Sequence, residues 1–304
     1  MKMLYDPTYH RTQRLRAMAR WADVGVLEQR SKLPVEQAFA DRVAQNSSTF
    51  FKPVAIDDYD SVEFHREVSY LVDAFDSLPW RVDIAFDSTW KAFELETKET
   101  YEGNATERLK KVAGKGQLTI VERLCANFPV QSCEYLFKRL ISDHSDGNIG
   151  HGLKNRILHS TDDQILLLLE HLRVTYGSGS AESRRKGALL LRRALRGETL
   201  ALGEVAEFRL ETTSRARVLV SLFLYTTRNE RFHGESFSPF ISSAASLRTY
   251  THPFFAFLAS YYLLLSLWLE RRPGVIRGGL DAVLASLDDN LTVAHGIFRT
   301  HWSK

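Results

Sequence analysis

The chain has 304 residues, 44% hydrophobic and 25% charged, which supports a sizeable core and excludes a chain disordered as a whole. Lys and Arg number 40 against 37 Asp and Glu, so the net charge of +3 does not by itself mark a nucleic-acid binder. Two cysteines, Cys125 and Cys133, exclude a disulfide scaffold and a four-cysteine zinc site and fit a reduced, cytoplasmic setting. With 8 prolines and 17 glycines, the chain is neither collagen-like nor a turn-rich all-β protein. At roughly 100–200 residues per domain, the length allows one large domain or two modest ones.

The first twenty residues hold no apolar core of a secretory signal. His10 to Arg20 carries four arginines and no acid, a composition shared with transit peptides, but it reads more simply as a solvated basic helix. Lys52-Pro53 and the run Asp57-Asp58-Tyr59-Asp60 form a polar break. Residues 1–60 therefore read as an N-terminal extension, and 61–304 as the main helical domain.

Residues 57–100 hold 12 acids and 4 bases. Within 80–100, Val82, Ala85, Phe86, Trp90 and Phe93 recur at helical spacing. The acidic block pairs either with a basic partner or with a basic stripe further on. Glu96-Thr97-Lys98, with Asp83 or Asp87 upstream, has the acid-x-Lys form of nuclease cores that hold magnesium through carboxylates. Such cores normally sit on strands, whereas this one falls on a predicted helix.

Gly114-Lys115-Gly116-Gln117 lacks the full phosphate-loop pattern and reads as a basic turn. Cys125 reads as a small core residue. His144, His151 and His159 lie in a polar region rich in Asp and Gly, including Asp146-Gly147-Asn148, without the tight spacing of metal ligands. No metal site and no cofactor are expected. Thr161-Asp162-Asp163 opens a predicted helix that runs to residue 174. Gly177-Ser178-Gly179-Ser180 is a flexible joint leading into a basic amphipathic helix over 181–196, with six bases and one acid. Arg185, Arg192 and Arg196 are spaced at i, i+7 and i+11, on one stripe of that helix, and such a stripe suits an RNA phosphate backbone.

Residues 214–227 read as a buried helix. The segment 253–269 is almost wholly apolar over 17 residues, short of the ~20 a membrane span needs, and it contains Ser260, Tyr261, Tyr262 and Ser266. A helix apolar on all sides fits the centre of a bundle or half of a dimer interface. A last helix is predicted over 279–299. His252, His295 and His301 have no evident partners. Strand signals are poor throughout, so the fold reads as all-α.

Residues 225–240, YTTRNERFHGESFSPF, break the buried helix with polar residues, Gly234 and Pro239. Arg228 and His233 are five apart, about 140° on an ideal helix, so they need a distorted turn or a groove edge to converge. Arg offers a fixed fork of donors for phosphate oxygens, and His can move a proton near neutral pH. Together they suffice to cut a phosphodiester whose nucleophile, the 2′-OH of RNA, is already in the substrate.

The hexad Arg228-Asn229-Glu230-Arg231-Phe232-His233, followed by Gly234, resembles the Arg-(four to six residues)-His motif of the HEPN superfamily. The apolar helices on either side resemble that family too, and VDIAFDSTWKAFE, residues 82–94, looks like one of its early bundle helices. The resemblance covers residues 214–270 well, 80–200 loosely, and 1–60 not at all. It implies an all-α HEPN-like bundle with extra helices. It also implies a metal-independent endoribonuclease acting on RNA in a toxin–antitoxin or antiviral defence role. Arg228 and His233 would be catalytic, with Asn229 in support. It further implies a homodimer with facing motifs and a cognate antitoxin or defence-system partner; no membrane partner is expected. Other HEPN members are non-catalytic RNA-binding, nucleotide-binding or scaffold proteins, and the intact motif favours an active form.

Overall fold

The computed structural model describes residues 7–20, 23–24, 31–46, 49–115, 117–141, 162–177, 180–233 and 247–303. The described chain is mostly helical, as its periodicity predicts. The helices are α1 (Pro7–Ala19), α2 (Pro34–Asn46), α3 (Val62–Asp76), α4 (Val82–Thr100), α5 (Ala105–Lys115), α6 (Leu118–Ala126) and α7 (Val130–Leu140). They continue with α8 (Asp163–Tyr176), α9 (Ala181–Leu195), α10 (Thr212–Arg217), a π-helical stretch Val218–Leu224, α11 (Tyr225–Phe232), α12 (Leu247–Arg271), α13 (Gly279–Phe298) and α14 (Thr300–Ser303). The expected cap at Asp162 is in place, accepting from the Ile165 amide at 3.1 Å; Ser180, read from the sequence as part of a joint, caps the next helix, accepting from the Ser183 amide at 3.2 Å. His144, His151, His159 and Asp146-Gly147-Asn148 lie outside the described residues, as do Gly116 of the basic turn and Ser178 and Gly179 of the expected joint.

One small hairpin interrupts the helices: β1 (Leu200–Leu202) pairs antiparallel with β2 (Val205–Phe208). Leu200, Leu202 and Phe208 point inward, and Gly203 turns the chain with a φ of 61°. Strands of three and four residues are too short to show alternation in the sequence.

Helix α12 is the centre of the molecule. Every residue from Pro253 to Trp268 is buried. Each polar side chain that interrupts the apolar run is satisfied by this chain's own groups. Ser260 donates to the Ala256 carbonyl at 2.9 Å, and the Tyr261 hydroxyl accepts from the Val54 amide at 2.9 Å. Tyr262 meets Ser286 at 2.8 Å and Asn290 at 2.7 Å, and Ser266 accepts from the Gln117 amide at 2.9 Å. The segment takes the place of a bundle's central helix, enclosed by the chain's own elements. The helix begins at Leu247, six residues before Pro253, the first residue of the apolar run; proline inside a helix withholds one N–H, and here packing outweighs that loss.

No boundary lies at residue 60. Phe39 of α2 stacks on Tyr250 with ring centres 3.9 Å apart, and Phe50 and Phe51 pack on Phe254 and Phe257. The Lys52 backbone exchanges two hydrogen bonds of 2.9 Å with the Asn290 side chain, and Ile56 pairs with Ile276. Residues 34–46 and 49–56 therefore belong to the same core as α12 and α13. Covering the apolar sides of α12 requires them.

Charge is buried at the far end of α12. Glu67 of α3 and Glu96 of α4, both fully buried, converge on Arg272: its Nη1 donates to Glu67 at 3.1 Å and its Nη2 to Glu96 at 2.6 Å. Trp268 Nε1 donates to Glu67 at 2.7 Å, and Arg271 donates to Glu96 at 3.1 Å. Burial, then the charge of Glu96 and a hydrogen bond with it, pushes the Glu67 carboxyl up to about 8. A folded-state value above the ordinary 4.5 means that the unfolded chain releases this proton first as pH rises. The stability contributed by protonated Glu67 is complete below about pH 4.5 and is lost as pH rises through about 8. Glu67→Gln, a neutral isostere, should flatten the pH dependence of the urea midpoint across that window relative to wild type.

Candidate functional site

The motif hexad spans the end of α11 and its C-cap. The π-helical stretch before it, with hydrogen bonds reaching one residue further than in an α-helix, rotates α11 relative to α10, a displacement that ideal helical spacing does not foresee. Helices α4 and α7 then receive the side chains of the hexad.

Arg231 forms a two-pronged pair with Asp87, both contacts at 2.5 Å, and a third contact with Asp83 at 3.3 Å. Asp83 is fully buried and also accepts twice from Arg81, at 3.1 Å each. Glu230 is buried and pairs with Arg139 of α7 at 2.6 Å. These two residues lock α11 to its neighbours.

Arg228 is held more lightly. Its Nη1 donates to Asn229 at 3.1 Å and its Nη2 to Glu94 of α4 at 3.4 Å, while its guanidinium lies 4.6 Å from the centre of the Phe232 ring. Its Nε–H has no acceptor among the described residues. About a quarter of the side chain is exposed. Glu94 is itself braced by Trp90 Nε1 at 3.1 Å and Lys98 at 3.7 Å. His233 is the C-cap residue: its amide donates to the Asn229 carbonyl at 2.9 Å and its side chain is exposed. Phe232 beside it is 49% exposed, unlike the phenylalanines that form the core. The structure thus joins Arg228 to Asn229, but no hydrogen bond joins Arg228 to His233 among the described residues. The C-cap dihedrals of His233, φ −91° and ψ 3°, stay near the helical path, so the turn does not swing the two side chains together.

Sequence spacing alone does not point to Glu94 or Phe232. The surplus of acid in residues 57–100 is the available signal for Glu94. Six of the twelve acids in that block, Asp57, Glu67, Asp83, Asp87, Glu94 and Glu96, pair with Arg228, Arg231, Arg271, Arg272 and Arg277, and among the described residues no ion pair joins the block to the basic stripe of α9. The same pairings engage the carboxylates of the acid-x-Lys pattern. Asp83 and Glu96 are thirteen residues apart on one helix, ~20 Å along its axis, and each is occupied by arginines. Among the described residues no group of His, Cys, Asp and Glu could hold a metal ion.

The stripe expected of Arg185, Arg192 and Arg196 is not one open face. Arg192 donates to the Phe128 carbonyl at 2.9 Å and to the Ser303 carbonyl at 2.8 Å, fastening α14 to the body. Arg196 lies 3.8 Å from Glu198, and Arg185 lies 3.9 Å from Glu134. Of the histidines without evident partners, His252 is half-buried against Tyr135 and 3.4 Å from Thr227, and desolvation followed by the charge of Arg231 pushes it down to about 3. It stays neutral and serves packing. His295 meets Asn127 at 3.0 Å. Burial pushes the Cys125 thiol up to about 12, in keeping with a core residue.

No family model, no curated protein and no solved structure matches this chain.

The hexad separates into anchors and an open end, and stability measurements should report the division. Asp83→Ala removes a buried acceptor from Arg81 and the third contact of Arg231, which keeps Asp87, and should cost ~1–3 kcal/mol in urea unfolding. Arg228→Ala removes a part-exposed pair and should cost less than ~1 kcal/mol.

Proposed function

We propose that this chain is a HEPN-type, metal-independent endoribonuclease serving a toxin or antiphage defence role, with Arg228 and His233 catalytic and Asn229 in support. The observation that carries the reading is the division of the hexad. Arg231 and Glu230 are consumed as anchors, while a part-exposed guanidinium oriented by Asn229 and an exposed imidazole remain at the end of α11. In the proposed reaction the imidazole of His233 takes the proton of the 2′-OH, and O2′ attacks phosphorus. The bond from phosphorus to O5′ breaks, and the departing oxygen takes a proton from a second acid. Arg228 balances the charge that builds on the non-bridging oxygens. The exposed Phe232 ring offers a base a stacking surface.

One histidine per motif supplies one of the two proton-transfer roles. The reading therefore includes a homodimer whose second His233 supplies the other, and a cognate antitoxin or defence partner to restrain it. The dimer cannot use α12 or residues 214–227 as a dry face, since both are covered by the chain itself. A second reading, a non-catalytic RNA-binding or scaffold module, draws on the Glu94 carboxylate that already pairs with Arg228.

Cleavage of a mixed RNA substrate by wild type and His233→Ala separates the two. His233 is exposed, so the variant keeps the fold. Wild type should cut RNA in EDTA, leave 2′,3′-cyclic phosphate and 5′-OH ends, and spare DNA, and His233→Ala should be inactive. Equal activity of the two proteins, or activity that returns only with magnesium, would overturn the assignment; RNA binding without cleavage would establish the second reading. Mixing His233→Ala into wild type should lower activity by more than dilution does, since mixed dimers carry a broken site.

A further inference from the structure

A cavity of about 800 Å³ opens between α7, α9, the start of α12 and α14. Among the described residues its wall carries the cationic side chains Lys138, Arg184, Arg185 and Arg248 against one carboxylate, Glu134. We propose that this cavity binds a compact phosphorylated ligand bearing at least two negative charges. The inference stands apart from the ribonuclease reading and from the hexad.

Four observations support it. The volume lies in the range of small-ligand sites, and the floor is apolar, formed by buried Phe137 and Ala188. The cations come from three separate helices, so they surround a ligand and do not form a single stripe. Glu134 and Gln131 brace Arg248 at 2.6 and 2.5 Å, which holds its planar fork in place with donors to spare. Finally, the walls are rigid. Gly187 lets α9 approach α7 so closely that a β-carbon there would lie 2.3 Å from the Phe137 ring. Helix α14 is pinned by buried Trp302, which packs on Phe254, Phe255 and Phe298. His301 also faces the cavity, where burial and then the charge of Arg248 lower its affinity for a proton. Arg184 is exposed, and its side chain has no partner among the described residues.

Calorimetric titration of the full chain with inorganic tripolyphosphate, at ionic strength matched with sodium chloride, tests the proposal. Saturable binding at one site is expected, with orthophosphate weaker by roughly tenfold or more, about the weight of one charge-assisted contact. Arg184→Ala and Arg248→Ala should each weaken tripolyphosphate by a similar factor. Arg193→Ala, on the same helix but outside the cavity and paired with Glu198, should leave binding unchanged. Circular dichroism verifies that each variant is folded; Arg184→Ala removes no contact among the described residues and keeps the test decisive. Three results would overturn the proposal. The first is no binding beyond the salt control, and the second an equal loss in Arg193→Ala. The third is binding of a single-stranded RNA oligonucleotide that depends on the same arginines when tripolyphosphate does not bind, which would make the cavity part of an RNA track.

Discussion

A helix that is apolar on every side has to be covered on every side, and α12 sets that requirement for the whole chain. Each fully buried Leu or Phe along it contributes on the order of 1.5–3 kcal/mol. One or two neighbouring helices cannot supply the cover. Helix α4 lies along one flank, α6 and α7 along another and α13 along a third, while residues 34–46 and 49–56 close the rest through Phe39, Phe50 and Phe51. The recruitment of the N-terminal segment follows from that demand for cover.

Helix α4 faces two ways. Its apolar residues, Phe86, Trp90 and Phe93 among them, are buried, and its acids meet arginines from distant parts of the chain. A carboxylate taken out of water needs a partner, and so does a guanidinium. At one end of α4 this pairs Asp83 and Asp87 with Arg231; at the other it pairs Glu96 with Arg271 and Arg272. The motif helix is therefore positioned by ion pairs within the chain. In the proposed chemistry, the arginine that anchors and the arginine that acts are neighbours in sequence but differ in burial.

The basic helix α9 shows the same division. Arg192 spends its donors on two backbone carbonyls and holds α14 in place. Arg184 and Arg185, about two turns earlier, face the cavity whose other walls are α7, α12 and α14. Arginines about two turns apart thus serve structure and surface charge in turn, and helical spacing by itself does not tell them apart.

Much of the fold was legible in the sequence, because the period of apolar residues is a local property of the chain. The all-α class, the capped start at Asp162, the buried helix over 214–227 and the helix over 279–299 were all legible in that pattern. The hexad and the chemistry of Arg and His were likewise visible in order along the chain. Three features were decided only by tertiary structure. The π-helical stretch rotates α11, and a rotation of that kind leaves no mark in an ideal 3.6-residue period. The pairing of Glu94 with Arg228 and of Asp87 with Arg231 joins residues more than a hundred positions apart, so it depends on which helices pack together. The side on which α12 meets each neighbour is undetermined by a pattern that is apolar all round, so only packing could show that residues 34–46 and 49–56 belong to the core and that the chain's own elements enclose the helix. Sequence periodicity records which side of a helix avoids water; it does not record which other helix provides the cover.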